Sequence, residues 1–393
     1  MNNLRRWMAI PLSIRWAIVV WVALITGVLL RVAFSDPMSQ SVVPIYMLAG
    51  ERWWNAEPLY AAPPGTMDVF RNPPGFAALF APLSQLPICP VALAWRALGI
   101  GLLLLGLRRF LAAVHPVPLP PRAAATVWII AAFLALPAFN NGQVNTLIAV
   151  AALHGIAAAI RGGWWAASGW LMFAAWLKGY PVALAGLAVL LAPTRLGWRM
   201  PAVLIALLAW PFAIRNAEYV REQSSEFWRV AQVDDRSQAP LERTMRGWTY
   251  LVRIATGECV GHGPMQLVAA GTGLALAGLV LLAARRTGAT PGLYGRTLML
   301  GLLWMVLFGP ATESNTYSIL APVGWLLVGV RLPRAAQFAA AIGIALLVAG
   351  VLRGAFPQDP EFSTSSLQPI GAFLLFGVAV WELMFGPPRA IGD

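Results

Sequence analysis

Apolar runs long enough to cross a lipid bilayer recur along the whole chain, and they constrain the fold more than any other feature. A transmembrane helix needs about 20 consecutive, mostly apolar residues. The strands of a membrane β-barrel would instead alternate apolar and polar residues at every second position, which these runs do not do. The sequence therefore predicts an all-α polytopic membrane protein.

The composition supports the same prediction. Of the 393 residues, 59% are hydrophobic and only 11% are charged. A soluble domain carries about 25% charged residues, so this chain has too few charges to cover a surface that faces water. We expect a single transmembrane domain over residues 1–393, built as a bundle of about 10–12 transmembrane helices.

The predicted spans follow one another with mostly short connections. We place them at about 15–34, 88–107, 123–138, 144–160, 164–178, 180–194, 200–215, 265–284, 297–311, 315–331, 335–352 and 367–385. The region 164–194 fits either two spans or one long helix, because Lys178-Gly179-Tyr180-Pro181 could be a break or a bend.

Two longer segments interrupt this pattern. Residues 35–87 are dense in aromatic residues and proline, and residues 216–264 contain apolar residues at helical spacing. We predict that they form a first and a second outer loop, each with short amphipathic helices lying at the membrane surface.

The charges predict the orientation. The segments on one side, which are short loops and the two termini, hold slightly more than half of the 28 Lys and Arg residues, and all but two of the 16 acidic residues (Glu382 and Asp393) fall on the other side. Positively charged loops stay in the cytoplasm. We therefore expect a multi-pass protein of the cell (inner) membrane, part of the cell envelope, with both termini cytoplasmic and a solvated, functional outer face.

The net charge of +12 does not indicate a nucleic-acid-binding protein, because the basic residues lie in short clusters between apolar runs rather than on one soluble face. Two cysteines, Cys89 and Cys259, exclude a disulfide framework. We expect neither a metal nor a cofactor, since the three histidines are scattered and no motif for a metal or a phosphate loop is present.

Single polar residues near the outer ends of the spans are the candidates for chemistry. Moving a sugar from a lipid-linked phosphate to a hydroxyl needs a carboxylate that takes the hydroxyl proton. It also needs fixed cations that stabilise the departing phosphate. Each candidate also has a structural interpretation: Asp36 as an interfacial residue, Asp68 as a solvated loop residue, Lys178 as a side chain reaching for the interface, and Gln143 and Asn145 as helix caps.

Five sequence stretches resemble glycosyltransferase family 87. They are YMLAGERWWNAEPLY (46–60), FRNPPGFAALFAPLSQLP (70–87), NGQVNTLIAVAAL (141–153), WLKGYP (176–181) and GPATESNTYSILAP (309–322). The resemblance implies the C-type glycosyltransferase fold and a membrane-embedded cavity open to the non-cytoplasmic side. It further implies a polyprenyl-phosphate-sugar donor, typically of mannose, inversion at the anomeric carbon, and an aspartate base in the first outer loop.

These considerations assign roles by residue. The nearest match to the base is Asp36, with Asp68 or Glu313 as substitutes. The cations for the donor phosphate are Lys178, Arg246 and Arg71, and the candidates around the sugar or acceptor are Gln143, Asn145, Tyr180, Asn315 and Tyr317. The substrates would be the lipid-linked donor and a lipid or glycan acceptor.

Two other classes share some of these features. A transporter or lipid flippase without covalent chemistry would also bury polar groups, but it would place them near the middle of the membrane. A structural scaffold would account for the apolar mass but not for polar residues gathered at the outer helix ends. The sequence does not name the sugar, the acceptor or the linkage.

Overall fold

The computed structural model describes residues 9–35, 39, 41–62, 69–233, 239–241, 244–310, 312–330, 332–353 and 366–386. All regular structure in these residues is helical. In chain order the α-helices are α1 (Leu12–Phe34), α2 (Val43–Asn55), α3 (Pro74–Phe80), α4 (Ile88–Val114), α5 (Pro121–Asn141), α6 (Asn145–Ile160), α7 (Trp164–Lys178), α8 (Val182–Leu191), α9 (Pro193–Leu196), α10 (Arg199–Ile214), α11 (Ala217–Val233), α12 (Trp248–Thr256), α13 (His262–Thr287), α14 (Pro291–Phe308), α15 (Trp325–Val328), α16 (Arg334–Arg353) and α17 (Leu367–Phe385).

Within the described residues, eight helices are long and apolar enough to cross a membrane: α1, α4, α5, the combined stretch Pro193–Ile214, α13, α14, α16 and α17. The apolar helices α6 and α8 have 16 and 10 residues and fall short of that length. The prediction of an all-α polytopic bundle is confirmed. The larger count of 10–12 spans came from apolar composition, which does not separate a spanning helix from a shorter buried one.

The region 164–194 forms two helices. Helix α7 ends at Lys178, and Gly179 has a φ of 71° that an L-residue rarely adopts. Helix α8 begins at Val182, directly after Pro181. The glycine and the proline therefore make a break between two helices rather than a bend within one.

The segment predicted as an α-helical span at 315–331 folds differently. Residues Ser314–Gly324 form a 3₁₀-helix, named here the central 3₁₀-helix, and α15 continues it. Its side chains from Thr316 to Val323 are buried, and it packs mainly against α5 and α6. Hydropathy correctly indicated that this segment is apolar. It does not distinguish a 3₁₀-helix, whose backbone hydrogen bonds join residues three apart, from an α-helix, whose bonds join residues four apart.

The two outer segments hold each other. Tyr219 donates a hydrogen bond from its hydroxyl to the carbonyl of Glu57 at 2.8 Å. The buried Gln223 accepts one from the backbone N–H of Leu59, also at 2.8 Å. Helix α11 of the second segment is thereby fixed to the chain that follows α2 in the first segment.

One end of the bundle is defined by these outer segments and is called here the cavity end. There Val42 donates its N–H to the carbonyl of Asn141 at 3.0 Å. At the same end, Ser314 at the start of the central 3₁₀-helix donates to Gln368 at the start of α17, at 2.8 Å. The other end is called the opposite end, and there Arg296 of α14 forms an ion pair with Glu382 of α17 at 2.7 Å.

Candidate active site

Glu313 stands at the N-terminus of the central 3₁₀-helix and is held by a capping box. Its carboxylate accepts the backbone N–H of Thr316, and its own N–H donates to the Thr316 hydroxyl at 3.0 Å. This reciprocal arrangement satisfies two donors that a helix start would otherwise leave without partners. The capping box therefore fixes the acid at the mouth of a buried helix.

The turn between α5 and α6 is positioned by a buried arginine. Arg96 is only 3% exposed and donates to the carbonyls of Phe139 and Asn140 at 3.1 and 2.9 Å. Gly142, with a φ of 76°, then reverses the chain, and a Cβ there would lie 2.8 Å from the Val43 side chain. Only glycine satisfies both the backbone angle and the close approach to α2.

The turn carries Asn141, Gln143 and Asn145. Asn145 is the first residue of α6, is 3% exposed, and donates its amide N–H to the side-chain oxygen of Gln143 at 2.7 Å. Asn141 is the last residue of α5. The α5–α6 turn thus places three carboxamides in one short stretch of chain.

Two cations reach the site from different elements. Lys178 is the last residue of α7 and is half-buried. It is also the only lysine among the 28 basic residues of the chain. Arg71 lies just before α3, next to Asn72, whose carbonyl accepts the hydroxyl of Tyr60 at 2.9 Å.

These elements enclose a cavity of about 220 Å³ at the cavity end. Six of the residues predicted from sequence line it: Arg71, Gln143, Asn145, Lys178, Glu313 and Asn315. They come from four separate stretches of the chain that only the fold brings together. An acid, two cations and three amides therefore line one shared cavity.

Three other predicted residues lie off the cavity wall. Tyr317 is fully buried and donates its hydroxyl to the carbonyl of Arg246 at 2.6 Å, while the N–H of Arg246 donates to the carbonyl of Thr312 at the same distance. Tyr180 lies in the break after α7. Tyr317 and the Arg246 backbone thus hold the second outer segment against the central 3₁₀-helix, and this segment contributes Met245 to the lining.

The two aspartates predicted as bases, Asp36 and Asp68, lie outside the described residues. Among the acidic residues that the structure describes, Glu313 is the one on the cavity wall. No group of three or more His, Cys, Asp or Glu side chains within the described part of the chain is arranged to hold a metal ion.

The structure adds lining residues that sequence reasoning did not assign a role. They are Tyr46, Asn72 and Asn141. Asn72 and Asn141 belong to the FRNPP and NGQVN stretches, so an asparagine at the end of an element beside glycine or proline was the available signal. Tyr46 gave no such signal, because it lies among apolar residues in the sequence. In the structure its ring also packs like that of a core residue, with its centroid 5.0 Å from that of Phe76.

Tyr46 remains a neutral phenol at the cavity. Burial raises its pKa well above the ordinary value for tyrosine, and the nearby Glu313 carboxylate raises it further. Hydrogen bonds with the backbone of Val144 and the side chain of Asn72 oppose this only in part. The hydroxyl therefore keeps its proton throughout the physiological pH range.

Comparison with known proteins shows the family. The sequence profile of glycosyltransferase family 87 matches residues 70–310, which is more than half of the chain. The chain belongs to glycosyltransferase family 87. The resemblance noted in the sequence motifs is confirmed. The matched stretch includes Arg71, Asn145 and Lys178 of the cavity, while Glu313 lies just beyond it.

A search of solved structures returned the crystal structure of ArnT from Cupriavidus metallidurans bound to undecaprenyl phosphate. It is 16% identical in sequence, the match covers 93% of this chain and 77% of that one, and the TM-score is 0.34. No curated protein sequence matched this family 87 chain. The assignment as a membrane-embedded transferase of glycosyl groups therefore rests on the family profile and on the helical bundle.

Proposed function

We propose that this protein transfers one hexose, with mannose as the leading candidate, from a polyprenyl-phosphate donor to a hydroxyl of a lipid or glycan acceptor. The observation that supports the proposal is the cavity shared by Glu313, Lys178 and Arg71 at the ends of the membrane helices. An acid beside two cations suits an incoming hydroxyl that loses a proton and a leaving group that gains negative charge.

The reaction is a single displacement. The acceptor oxygen attacks the anomeric carbon and forms the new glycosidic bond, while the bond from that carbon to the phosphate oxygen breaks. The electron pair leaves with the polyprenyl phosphate, and the acceptor proton passes to a carboxylate. One displacement inverts the anomeric carbon.

Glu313 is the carboxylate that the geometry supports best. Its capping box holds it at the cavity wall, and a base must lie within hydrogen-bond reach of the proton that it takes. Asp36 and Asp68 of the first outer segment remain the alternatives for this role.

Lys178 and Arg71 are the cations for the donor phosphate. They line the same cavity as Glu313, and fixed positive groups stabilise charge as it develops without having to reorganise. The side chain of Arg246 is not part of the lining, so its proposed contribution is to position the second outer segment through its backbone.

The reaction side follows from the charge pattern of the loops. We propose an inner-membrane enzyme whose cavity opens to the non-cytoplasmic face and whose termini are cytoplasmic, because the short basic loops lie at the opposite end of the bundle. Membership of a glycosyltransferase family favours this covalent reaction over a transporter or lipid flippase that uses the same polar groups.

The test is direct transfer of label. Purified protein in lipid nanodiscs would be incubated with polyprenyl-phosphate mannose, glucose or galactose, each radiolabelled in the sugar, and with extracted membrane lipids and glycans. The proposal predicts that label moves to an acceptor from at least one of these donors and that Glu313→Gln slows the transfer about 100- to 10,000-fold. Exposed Glu218 provides the matched control, and Glu218→Gln should transfer normally. Transfer from a nucleotide sugar, with none from any polyprenyl-phosphate sugar, would refute the proposal.

A further inference from the structure

Two tryptophans and an arginine meet at the opposite end of the bundle, away from the cavity. Trp165 lies in the first turn of α7 and Trp198 directly precedes α10; their ring centroids are 5.1 Å apart, with the planes at 90°. The guanidinium carbon of Arg199 lies 4.4 Å from the Trp198 centroid and 5.4 Å from the Trp165 centroid. Aromatic faces attract a cation at these distances, so the two rings fix the position of Arg199.

A second arginine belongs to the same cluster. Arg199 donates from Nη1 to the backbone carbonyl of Arg195 at 2.7 Å. Arg195 itself is exposed. The four residues Trp165, Arg195, Trp198 and Arg199 are called here the arginine–tryptophan site.

The described part of the chain supplies no counter-charge for this site. Its acidic residues lie in the two outer segments or on the cavity wall, except Glu382, which pairs with Arg296. Other arginines of the opposite end, such as Arg285 and Arg286, add to the positive charge there. The complement of the arginine–tryptophan site is therefore an anion from outside the chain.

The site faces the outside of the bundle. Trp165 and Trp198 are each 54% exposed, and the membrane-spanning stretch that contains α10 is only 11% buried. An apolar exposed stripe runs along α10 from the site, at the helical spacing of one face, and consists of Ala202, Ile205, Leu208 and Phe212. From Arg199 to Phe212 the helix rises about 20 Å, which exceeds the depth of the hydrocarbon in one leaflet, about 15 Å.

This combination selects an amphiphile with an anionic head. Tryptophan side chains favour the level of the lipid headgroups, and a guanidinium group binds phosphate through paired N–H donors. A zwitterionic headgroup would add an ammonium group beside two arginines, which disfavours it. An acidic soluble protein would match the charge but would not reach a stripe that runs into the membrane.

We infer that the arginine–tryptophan site binds an anionic phospholipid of the surrounding bilayer. Arg195 and Arg199 hold the phosphate, the two tryptophan rings flank the headgroup, and the acyl chains lie along the stripe of α10. The inference does not rest on the proposed function, because the site is at the other end of the bundle from the cavity.

The first test compares lipids on the wild-type protein. Delipidated full-length protein in detergent would be titrated with phosphatidylglycerol or phosphatidylcholine of identical acyl chains, and the tightest site would be followed by native mass spectrometry. Each arginine near a lipid phosphate contributes about fivefold in affinity, so we expect phosphatidylglycerol to bind about 10- to 30-fold more tightly. Equal affinities would overturn the inference and reduce the tryptophans to ordinary interface anchors.

A soluble competitor separates a lipid site from a site for small anions. Glycerol 3-phosphate carries a phosphate but no acyl chains, so at the same concentration it should not displace phosphatidylglycerol. Displacement would contradict the role of the α10 stripe.

The second test assigns the preference to the site. The variant Arg195→Gln/Arg199→Gln should lose most of the preference for phosphatidylglycerol, whereas Arg285→Gln/Arg286→Gln, which removes the same charge at the same end, should keep it. Trp198→Leu retains both charges and should weaken phosphatidylglycerol binding about 2- to 5-fold without affecting phosphatidylcholine. Thermal unfolding shows that each variant is folded, and phosphatidylglycerol should raise the unfolding temperature of the wild type more than that of the site variants. Equal losses in the two double variants would show a diffuse attraction and refute the site.

The third test locates the acyl chains. Phosphatidylglycerol with a photoreactive group in the acyl chain would be crosslinked to the protein in nanodiscs, followed by peptide mapping. The inference predicts labelling concentrated in residues 202–212, and less of it in Arg195→Gln/Arg199→Gln. Labelling spread evenly over all lipid-facing helices would contradict it.

Discussion

The two ends of the bundle treat their polar side chains in opposite ways. At the opposite end, Arg296 and Glu382 are 8% and 2% exposed and meet each other at 2.7 Å. Trp325 directly follows the central 3₁₀-helix, and its indole N–H donates a hydrogen bond to the His115 ring at 2.7 Å. At the cavity end, Glu313 and Lys178 instead line one cavity together with buried amides.

This difference separates structural polar groups from those available for chemistry. Ionisable side chains inside a membrane protein are costly unless they are paired, solvated or used. A buried charge that meets its counter-charge is accounted for by the fold alone. Polar groups from several elements that converge on a shared cavity are placed where a ligand can meet them.

The largest effect is expected at the acid of the cavity end. Glu313→Gln removes the proton acceptor but keeps an oxygen that can cap the Thr316 N–H. We expect kcat to fall about 100- to 10,000-fold, while donor binding and thermal stability change little. Single-turnover transfer and calorimetry on the same preparation measure the two quantities. Normal turnover by this variant would show that Glu313 is not the base and would leave Asp36 and Asp68 as the candidates.

The next effect concerns stability at the opposite end. Arg296→Met leaves Glu382 as a buried charge without its counter-charge, which costs about 3–5 kcal/mol. Thermal unfolding in detergent, followed by tryptophan fluorescence, should show the loss. The double variant Arg296→Met/Glu382→Leu should recover most of it. Transfer per folded molecule should stay near the wild-type rate in both variants. A loss of catalysis without a loss of stability would contradict a purely structural role for the Arg296–Glu382 pair.

Lys178 offers a test of intermediate size. Lys178→Ala removes a cation from the phosphate side, and we expect kcat/KM to drop about 10- to 100-fold. Since Lys178 is the only side-chain amine of the chain, an amine-directed reagent followed by peptide mass spectrometry reports on this position and the N-terminus. Citronellyl phosphate should protect Lys178 and not the N-terminus. Equal labelling with and without the ligand would place the phosphate elsewhere.

The smallest effect concerns Tyr60 of the first outer segment. Burial raises the pKa of Tyr60 well above its ordinary value, so its stabilising contribution is complete below the unfolded-state pKa of about 10 and declines as the pH rises beyond it. Tyr60→Phe loses the hydrogen bond to the Asn72 carbonyl, about 1 kcal/mol. Unfolding temperatures at pH 8 and pH 11 should show this gap narrowing at the higher pH. A gap that widened would contradict the sign of the shift.

Much of the helix layout could be predicted from sequence because hydropathy reports burial in lipid directly. Helix α17 spans Leu367–Phe385 against a predicted 367–385, and α10 spans Arg199–Ile214 against 200–215. Convergence of Lys178, Glu313 and Asn145 was also predictable, since all three lie at span ends on the same side. The family resemblance supplied the roles that residue types alone left open.

The remainder depended on contacts between distant parts of the chain. Tyr317 had the same sequence signal as Asn315, yet its hydroxyl is occupied by the Arg246 carbonyl and only Asn315 reaches the cavity. No local pattern identifies Arg96 as the residue that orders the α5–α6 turn, because its partners lie more than forty positions away. Tertiary structure decides which polar side chain lines the cavity and which one is bonded to another part of the chain.

The pitch of the central 3₁₀-helix sets how deep the Glu313 carboxylate lies. Its 11 residues rise about 2.0 Å each and cover about 22 Å, whereas an α-helix of the same length would cover about 16.5 Å. Rewinding to the α form would shorten this rod by about one helical turn. Either the acid would then withdraw from the cavity or Trp325 would leave His115, so the 3₁₀ winding is what lets this single element make both contacts.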